Sequence, residues 1–225
     1  MSLNYAAARQ NMVESQIRPN RVTDPALLDA LETLPREDFV ASSQQAFAYC
    51  EGEVSVGTGK MERYLLSPMI IARMIEALNL TKDDKVLDVG CTTGYSTALI
   101  SHLAGIVIGL ESDAQMAQQA NLNIQKLGLD RGVTIQHGAL SLGTKDLAPF
   151  TAIILNGAVQ EVPAALFSQL DEGGQLIAIV GGQKDRKLGQ VILYEKHHGT
   201  VSQRVLFEAA ASYLPGCAPV EEFSF

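Results

Sequence analysis

Apolar residues in the N-terminal third of the chain recur at the three- and four-residue spacing of an amphipathic helix. Residues 6–17 carry one such stripe, and residues 26–34 carry a second that is rich in leucine and stops before a proline. Asp24 followed by Pro25 is typical of a helix start, because the carboxylate caps free N–H groups and proline fits the first helical position. Residues 68–78 repeat the pattern. The spacing therefore predicts three helices, and the glycine-containing stretch 52–63 between the last two predicts an exposed loop.

Beyond residue 84, short apolar runs alternate with helical segments. Five runs have the length of a buried strand: KVLDVG (85–90), IVIGLE (106–111), VTIQHG (133–138), TAIILNG (151–157) and QLIAIVG (175–181). Helical spacing occurs at 96–103 and 113–127. Because buried strands that alternate with helices form a parallel sheet covered on both faces, the pattern predicts a mostly parallel, doubly wound α/β fold. VILYEK (191–196) and VSQRVLF (201–207) predict an antiparallel hairpin at the sheet edge.

Composition narrows the classes of function. The net charge is −8, which argues against nucleic acid as a partner, because neutralising phosphates requires clustered Lys and Arg. Cys50, Cys91 and Cys217 lack metal-ligand or redox spacing and the histidines form no cluster with them, so we expect no metal site. No apolar run approaches the ~20 residues that cross a bilayer, and the N-terminus lacks the layout of a signal peptide. These features predict a soluble, cytoplasmic protein without membrane partners.

The turn after the first predicted strand carries the candidate chemistry. Residues 86–96 read VLDVGCTTGYS, so Gly90 and Gly94 stand where the strand ends and the next helix begins. Ligands of open α/β sheets bind outside the carboxyl ends of the strands, and glycine lets the backbone approach a ligand closely. About twenty residues later the second strand ends at Glu111, where a carboxylate can accept hydrogen bonds from both ribose hydroxyls. The unit predicts a nucleoside site.

Three interpretations of this turn compete. A dinucleotide site carries G-x-G-x-x-G to admit the pyrophosphate, whereas this chain has Thr92 and Tyr95 at the second and third glycine positions. A ligand with an adenosine and no phosphate fits better, which favours S-adenosylmethionine. A turn that uses glycine for its backbone alone and binds no nucleotide is the remaining alternative.

The same residues resemble a known family. VLDVGCTTGYSTALI with GLES resembles the first two motifs of class I methyltransferases. The whole chain resembles the protein-L-isoaspartate (D-aspartate) O-methyltransferases: MVESQIRPNRVTDPALLDALETLPREDFV is similar to their N-terminal helices, SPMIIARMIEAL to the helix before the first motif, and APFTAIILNGAVQEVPAALFSQLDEGGQLIAIVGG to their fourth and fifth strands. The resemblance implies a Rossmann-like methyltransferase core over residues 81–225. It further implies an N-terminal helical extension with a cofactor-covering loop over residues 1–80.

The resemblance also implies the reaction. Members transfer a methyl group from S-adenosylmethionine to the α-carboxyl of L-isoaspartyl residues in damaged proteins, and the ester collapses to a succinimide, which begins repair. The implied partners are therefore proteins or peptides with an isoaspartyl residue. A carboxylate with a pKa of about 4 is already deprotonated at neutral pH, so the reaction needs alignment and no general base.

The resemblance assigns roles to particular residues. The expected cofactor-binding residues are Asp88, Gly90, Cys91, Thr92, Gly94, Glu111, Ser112, Gly138, Ala139 and Asn156. Aligned on Pro68, Leu66 stands where the family carries a serine that contacts the reacting carboxylate, and Ser67 is the candidate replacement. Thr92 replaces a usual glycine, and residues 138–140 read Gly-Ala-Leu where an aspartate usually lies near the adenine.

These departures leave two alternatives open: a methyltransferase with a different acceptor, and a non-catalytic cofactor-binding or regulatory protein on the same fold. Within the site, we expect Asp88 to orient the glycine turn through backbone amides and Cys91 to be a small loop residue. Asn156, after the fourth strand, is a candidate contact for the methyl donor or the substrate.

Overall fold

The computed structural model describes residues 4–57, 62–182 and 188–219 and contains a seven-stranded sheet. The helices are α1 (Tyr5–Met12), α2 (Pro25–Thr33), α3 (Pro68–Ala77), α4 (Tyr95–Ser101), α5 (Ala114–Lys126) and α6 (Ala164–Ser168). The strands are β1 (Val54–Ser55), β2 (Tyr64–Leu65), β3 (Lys85–Val89), β4 (Ile106–Glu111), β5 (Val133–His137), β6 (Phe150–Val159), β7 (Leu170–Val180), β8 (Gly189–His197) and β9 (Thr200–Ala209). No helix in these ranges is long and apolar enough to cross a bilayer.

The large sheet has the strand order β5-β4-β3-β6-β7-β8-β9. The strands from β5 to β7 in this order run parallel to their neighbours, and β8 and β9 complete the edge as an antiparallel hairpin. This confirms the predicted mostly parallel α/β fold with its edge hairpin. The chain winds outward from β3 to β5 and then returns to the other side of β3. A crevice therefore opens at the carboxyl ends of β3 and β6, where ligands bind in folds of this kind.

The strand β3 is buried on both faces and separates two apolar clusters. Val86 lies in the cluster that includes α1 to α5, whereas Leu87 and Val89 lie in the cluster that includes α6. The neighbouring strand β6 alternates in the same way, with Ile154 in the first cluster and Ile153 in the second. Burying each such side chain stabilises the fold by about 1.5–3 kcal/mol, and a slip of one residue would exchange the two faces. Both faces of the central strands are therefore apolar, as expected for a parallel sheet that is covered on both sides.

The N-terminal helices contribute to the first of these clusters. Ile17, Leu27 and Leu31, which belong to the two predicted stripes, are fully buried there together with Leu99 of α4. The carboxylate of Asp24 accepts from the N–H of Leu27 at 2.8 Å and caps α2, as predicted. Such a cap contributes about 1 kcal/mol. The N-terminal segment is therefore packed on the sheet that carries the candidate site.

The predicted exposed loop at 52–63 is wrong for the part that the structure describes. β1 and β2 pair antiparallel, and the N–H of Val56 donates to the carbonyl of Arg63 at 2.9 Å, which extends the pairing by one step. Val54, Val56 and Arg63 are buried. Strands of two residues are too short to show a periodic pattern, so the sequence did not reveal that these residues are buried. Residues 58–61 lie outside the described part of the chain.

Candidate active site

Glycine occupies two positions of positive φ in the turn between β3 and α4. Gly90 has φ +79° and donates its N–H to the carbonyl of Leu110 at 2.8 Å, and Gly94 has φ +94° at the start of α4. Side chains strongly disfavour such φ values because their Cβ approaches the backbone. At Gly94 a Cβ would also lie 3.2 Å from the Cβ of Ala120 in α5. The turn therefore requires both glycines for its shape.

Thr92 lies between them in the same left-handed region, with φ +52°. Its buried hydroxyl donates to the carbonyl of Cys91 at 2.8 Å, and its N–H donates to Oε2 of Glu111 at 2.9 Å. A β-branched residue in this region costs of order 1–3 kcal/mol, and persists where the surroundings compensate. Two hydrogen bonds supply that compensation here.

Glu111 ends β4 with a carboxylate that is 0% exposed. Its Oε1 atom accepts from the N–H of Ser112 at 2.7 Å, the hydroxyl of Ser112 at 3.1 Å and the N–H of Asp113 at 3.0 Å. With the bond from Thr92 to Oε2, the carboxylate is held from both sides by the turns that follow β3 and β4. Hydrogen bonds to an ionised acceptor are stronger than neutral ones, so this acceptor is preorganised.

The site contains a residue that the sequence pattern did not identify. Nη1 of Arg63 lies 2.6 Å from Oε1 of Glu111, and Nη2 donates to the carbonyl of Gly90 at 3.3 Å. The side chains of this ion pair are 5% and 0% exposed. The available signal was an arginine directly before the apolar run Tyr64–Leu65, but the segment was predicted to be exposed. Sequence periodicity cannot show a contact between residues 48 positions apart.

Leu214 approaches the same turn from the C-terminal segment. Its Cδ2 lies 2.7 Å from where a Cβ on Gly90 would stand and 2.8 Å from where a Cβ on Gly157 would stand. The N–H of Leu214 donates to the carbonyl of Ala158 at 2.8 Å, which fixes the segment against β6. Arg63 and Leu214 together fill the space beside Gly90.

These contacts test whether S-adenosylmethionine fits the site. A strand-end carboxylate beside a glycine turn is the acceptor set that a ribose requires. Oε1 of Glu111, however, already accepts four hydrogen bonds, one of them from Arg63. The carboxylate and the glycine turn therefore fit a nucleoside, and in this conformation Arg63 and Leu214 occupy the space beside Gly90.

Asp88 lies beneath the turn and is fully buried. Its Oδ2 accepts from the hydroxyls of Ser96 at 2.8 Å and Thr97 at 2.5 Å, and its Oδ1 accepts from the amide of Asn156. The prediction that it binds backbone amides is therefore wrong, because its hydrogen bonds come from two hydroxyls of α4 and the side-chain amide of Asn156 in β6. Burial raises the pKa of this carboxyl to about 6, although the three hydrogen bonds oppose the change. Asp88 orients α4 and Asn156 relative to β3.

Cys91 is buried, and burial raises its thiol pKa well above the usual value, with the charge of Asp88 acting in the same direction. The thiolate is the reactive form of cysteine, so this thiol is not a nucleophile. Its packing against Gly109, where a Cβ would lie 3.1 Å from Sγ, agrees with a structural role for a small loop residue.

A small cavity of about 10 Å³, the size of one water molecule, lies beside the turn. Its lining consists of Arg36, Tyr64, Leu65, Leu66, Ile71, Thr92, Tyr95, Ser96 and Asn156. Leu66, at the position of the family serine, lines this cavity, whereas Ser67 stands directly before α3 and does not. The structure thus brings Leu66, Thr92 and Asn156 to one place and leaves Ser67 apart.

Arg36 is a buried cation on this cavity. Its Nε donates to the carbonyl of Ala48 at 2.6 Å, its Nη2 donates to the carbonyl of Leu66 at 2.8 Å, and its guanidinium lies 4.7 Å from the ring centroid of Tyr95. Within the described residues, no carboxylate pairs with the guanidinium, and the side chain of Tyr95 partly opposes the effect of burial on the pKa of Arg36. Burial accordingly lowers the pKa of Arg36.

The last two predicted residues lie after β5. The N–H of Gly138 donates to the backbone carbonyl of Glu111 at 2.9 Å, so this strand end is held against the carboxylate residue. Ala139 is exposed and precedes a short 3-10 turn at Leu140–Leu142. In the described part of the chain, no three His, Cys, Asp or Glu side chains come together as a metal site.

The chain is similar to proteins of known family. The family model described as protein-L-isoaspartate(D-aspartate) O-methyltransferase (PCMT) matches residues 7–216. The protein-L-isoaspartate O-methyltransferase of Koribacter versatilis (strain Ellin345) is 37% identical over 177 residues, which cover 79% of this chain and 78% of that protein. The protein of the same name from Serratia proteamaculans (strain 568) is 35% identical over 192 residues, which cover 85% of this chain and 88% of that protein.

Solved structures share the fold. A protein-L-isoaspartate O-methyltransferase superposes with a TM-score of 0.81 at 24% identity, and the match covers 92% of this chain and 66% of that one. A putative protein-L-isoaspartate O-methyltransferase from Plasmodium falciparum, in complex with S-adenosyl-L-homocysteine, gives a TM-score of 0.70 at 20% identity and covers 94% of this chain and 98% of that one. These structures confirm the Rossmann-like methyltransferase fold, and the family model and the relatives extend over most of the sequence. The chain belongs to the protein-L-isoaspartate (D-aspartate) O-methyltransferase family.

Proposed function

We propose that this protein transfers a methyl group from S-adenosylmethionine to the carboxylate of L-isoaspartyl residues in damaged proteins. Membership of the family over residues 7–216 supports the reaction. Binding of S-adenosylmethionine is supported mainly by the carboxylate of Glu111, which is fully buried at the end of β4 and held by the turn after β3. The protein substrates and a cytoplasmic location follow from the same proposal.

The cofactor, when bound, supplies a methyl group on a positively charged sulfur. For this chain we propose that Glu111 accepts hydrogen bonds from the ribose and that Gly90 and Gly94 allow close approach of the backbone. Residues 1–80 would form a helical extension with a loop that covers the cofactor, and residues 81–225 would form the core that binds it. The other proposed cofactor residues are Asp88, Cys91, Thr92, Ser112, Gly138, Ala139 and Asn156; Asp88 and Cys91 act by shaping the turn.

The chemistry asks little of the protein besides alignment. The acceptor carboxylate is ionised at neutral pH, so the chain must orient it and exclude water around it. The buried guanidinium of Arg36 supports an anionic acceptor, because no carboxylate pairs with it among the described residues and it lines the cavity beside Thr92 and Asn156. A buried cation is costly unless an opposite charge approaches it.

The test combines labelled S-adenosylmethionine with a peptide that contains one L-isoaspartyl residue and with its ordinary aspartyl counterpart. We expect a base-labile methyl ester on the isoaspartyl peptide alone. Glu111→Gln removes the carboxylate that binds the ribose and should lower cofactor affinity, whereas Glu14→Gln, at an exposed site, serves as the matched control. Cofactor binding without transfer to the isoaspartyl peptide would overturn the assignment of the acceptor.

A methyltransferase with another acceptor is the second candidate, and Leu66 is the observation that favours it. A leucine cannot donate a hydrogen bond to a carboxylate, and its side chain is buried beside the cavity. Leu66→Ser should raise isoaspartyl transfer if the family chemistry operates here. If the variant gains nothing while a panel of small-molecule acceptors is methylated by the natural protein, the second candidate is correct.

A further inference from the structure

We propose that Arg63 competes with the cofactor for Glu111, so that this arginine determines how tightly the protein binds S-adenosylmethionine. The inference rests on the proposed function, because it assumes that the ribose binds at the same carboxylate. It assigns a role to a side chain outside the expected cofactor-binding set.

Among the described residues, the side chain of Arg63 forms polar contacts only with groups of the candidate nucleoside site. Within the described residues, its side chain forms two polar contacts, one with Oε1 of Glu111 at 2.6 Å and one with the carbonyl of Gly90 at 3.3 Å. Both groups belong to the predicted nucleoside site. The guanidinium therefore satisfies the site's own acceptors.

Oε1 of Glu111 is already occupied by hydrogen-bond donors. Oε1 accepts four hydrogen bonds in this conformation, and three of them come from Ser112 and Asp113, which are fixed to Glu111 by the chain. The fourth comes from Arg63 and is the one that can be exchanged. Nη2 also lies 3.2 Å from where a Cβ on Gly90 would stand, so the side chain fills the space that this glycine leaves open. A ribose hydroxyl and the guanidinium cannot use that space together.

A ribose hydroxyl can replace Arg63 at Oε1 of Glu111 if only the side chain of Arg63 moves. The backbone of Arg63 is fixed, because its carbonyl accepts from the N–H of Val56 at 2.9 Å and β2 begins at the next residue. The long side chain can leave Glu111 by changing rotamers while β1 and β2 remain paired. The ion pair then controls access to Oε1 of Glu111, while Leu214 stays beside Gly90.

The affinity for the cofactor depends on the fraction of molecules in which the Arg63–Glu111 ion pair is broken. The apparent Kd equals the intrinsic Kd divided by the fraction in which the site is free. If the ion pair is broken in about 1–10% of molecules, its removal lowers the apparent Kd by about ten- to a hundredfold. Replacing Arg63 with an uncharged residue should therefore tighten cofactor binding.

The experiment measures binding of S-adenosylhomocysteine by calorimetric titration to the natural protein, Arg63→Met and Arg63→Gln. Met keeps most of the apolar volume, and Gln provides a second uncharged variant in case Met impairs folding, which circular dichroism would show. Arg18→Met, which removes an arginine from exposed ion pairs with Glu14 and Glu32, is the matched control. We expect at least tenfold tighter binding for a folded Arg63 variant and no change for the control.

The outcomes separate the two proposals. Equal or weaker binding by the folded Arg63 variants overturns the competition and leaves the methyltransferase function standing. Tighter binding without methyl transfer to an isoaspartyl peptide supports the competition and overturns the acceptor. If none of the proteins binds the nucleoside, both proposals fail.

Discussion

Asp88 provides a quantitative test of how the buried site is organised. The carboxyl group is 0% exposed and accepts hydrogen bonds from Ser96, Thr97 and Asn156. Burial disfavours its charged form and raises its pKa from 3.8 to about 6. The perturbation is Asp88→Asn, which keeps the shape of the side chain and removes the titration.

The magnitude and sign follow from linkage. Between pH 4 and pH 6 the native protein still holds a proton on Asp88 that the unfolded chain has released. The free energy of unfolding therefore falls as the pH rises through this window and levels off above the native pKa. A pKa raised from 3.8 to about 6 corresponds to about 3 kcal/mol of stability present below pH 4 and lost by pH 7.

The assay is urea unfolding at several pH values from 4 to 7, with the free energy of the Asn variant subtracted from that of the natural protein. The difference should decrease by about 2 kcal/mol between pH 4 and pH 7, because all other groups titrate in both proteins. Asp146→Asn, at an exposed position, is the control and should show no such trend. A difference that stays constant with pH would refute the view that Asp88 is buried as an acid of raised pKa.

Three further predictions concern the same turn. Thr92→Gly should raise the free energy of unfolding by about 1 kcal/mol in thermal or urea unfolding, because glycine tolerates φ +52°; a clear loss of stability would contradict the assigned backbone strain. Gly94→Ala should lower it by about 2 kcal/mol, since φ is +94° and the new Cβ would stand 3.2 Å from that of Ala120; an unchanged unfolding midpoint would refute this packing. In the native protein a thiol reagent should label the exposed Cys50 and not Cys91, which should react only after unfolding, and mass spectrometry of the labelled peptides would reveal any native modification of Cys91.

Leu66 and Arg36 line the same small cavity, and they differ in what they offer to the carboxylate of the methyl acceptor. The side chain of Leu66 offers no donor, whereas the guanidinium of Arg36 is buried, donates to the carbonyl of Leu66 and pairs with no carboxylate among the described residues. A carboxylate that reaches this cavity meets a positive charge in place of a hydroxyl. Replacing the family serine therefore need not remove recognition of an anion, and Leu66→Ser measures how much the hydroxyl adds.

Several features were predicted correctly because they depend on neighbours along the chain. Short apolar runs predicted β3 to β6 and the edge hairpin, and helical spacing predicted α1 to α5, with bounds close to those observed for α2 to α5. Strand β7 begins earlier than predicted, at Leu170, which pairs with Phe150; residues 171–174 lie in an irregularity of the pairing with β6 and show no apolar pattern. The glycines of the turn and Glu111 at the end of β4 were found in the same way, since a strand end and a tight turn have local signatures.

By itself, the sequence determined the fold and the family and indicated where a candidate site lies, because strand and helix periodicity and the glycine turn are properties of consecutive residues. Only the tertiary structure decided what fills that site. Arg63 reaches Glu111 across 48 positions, Leu214 reaches Gly90 from the far end of the chain, and both depend on how β1, β2 and the C-terminal segment pack over the sheet. The physical reason is that an ion pair or a van der Waals contact depends on distance in space, which local patterns of polarity do not encode.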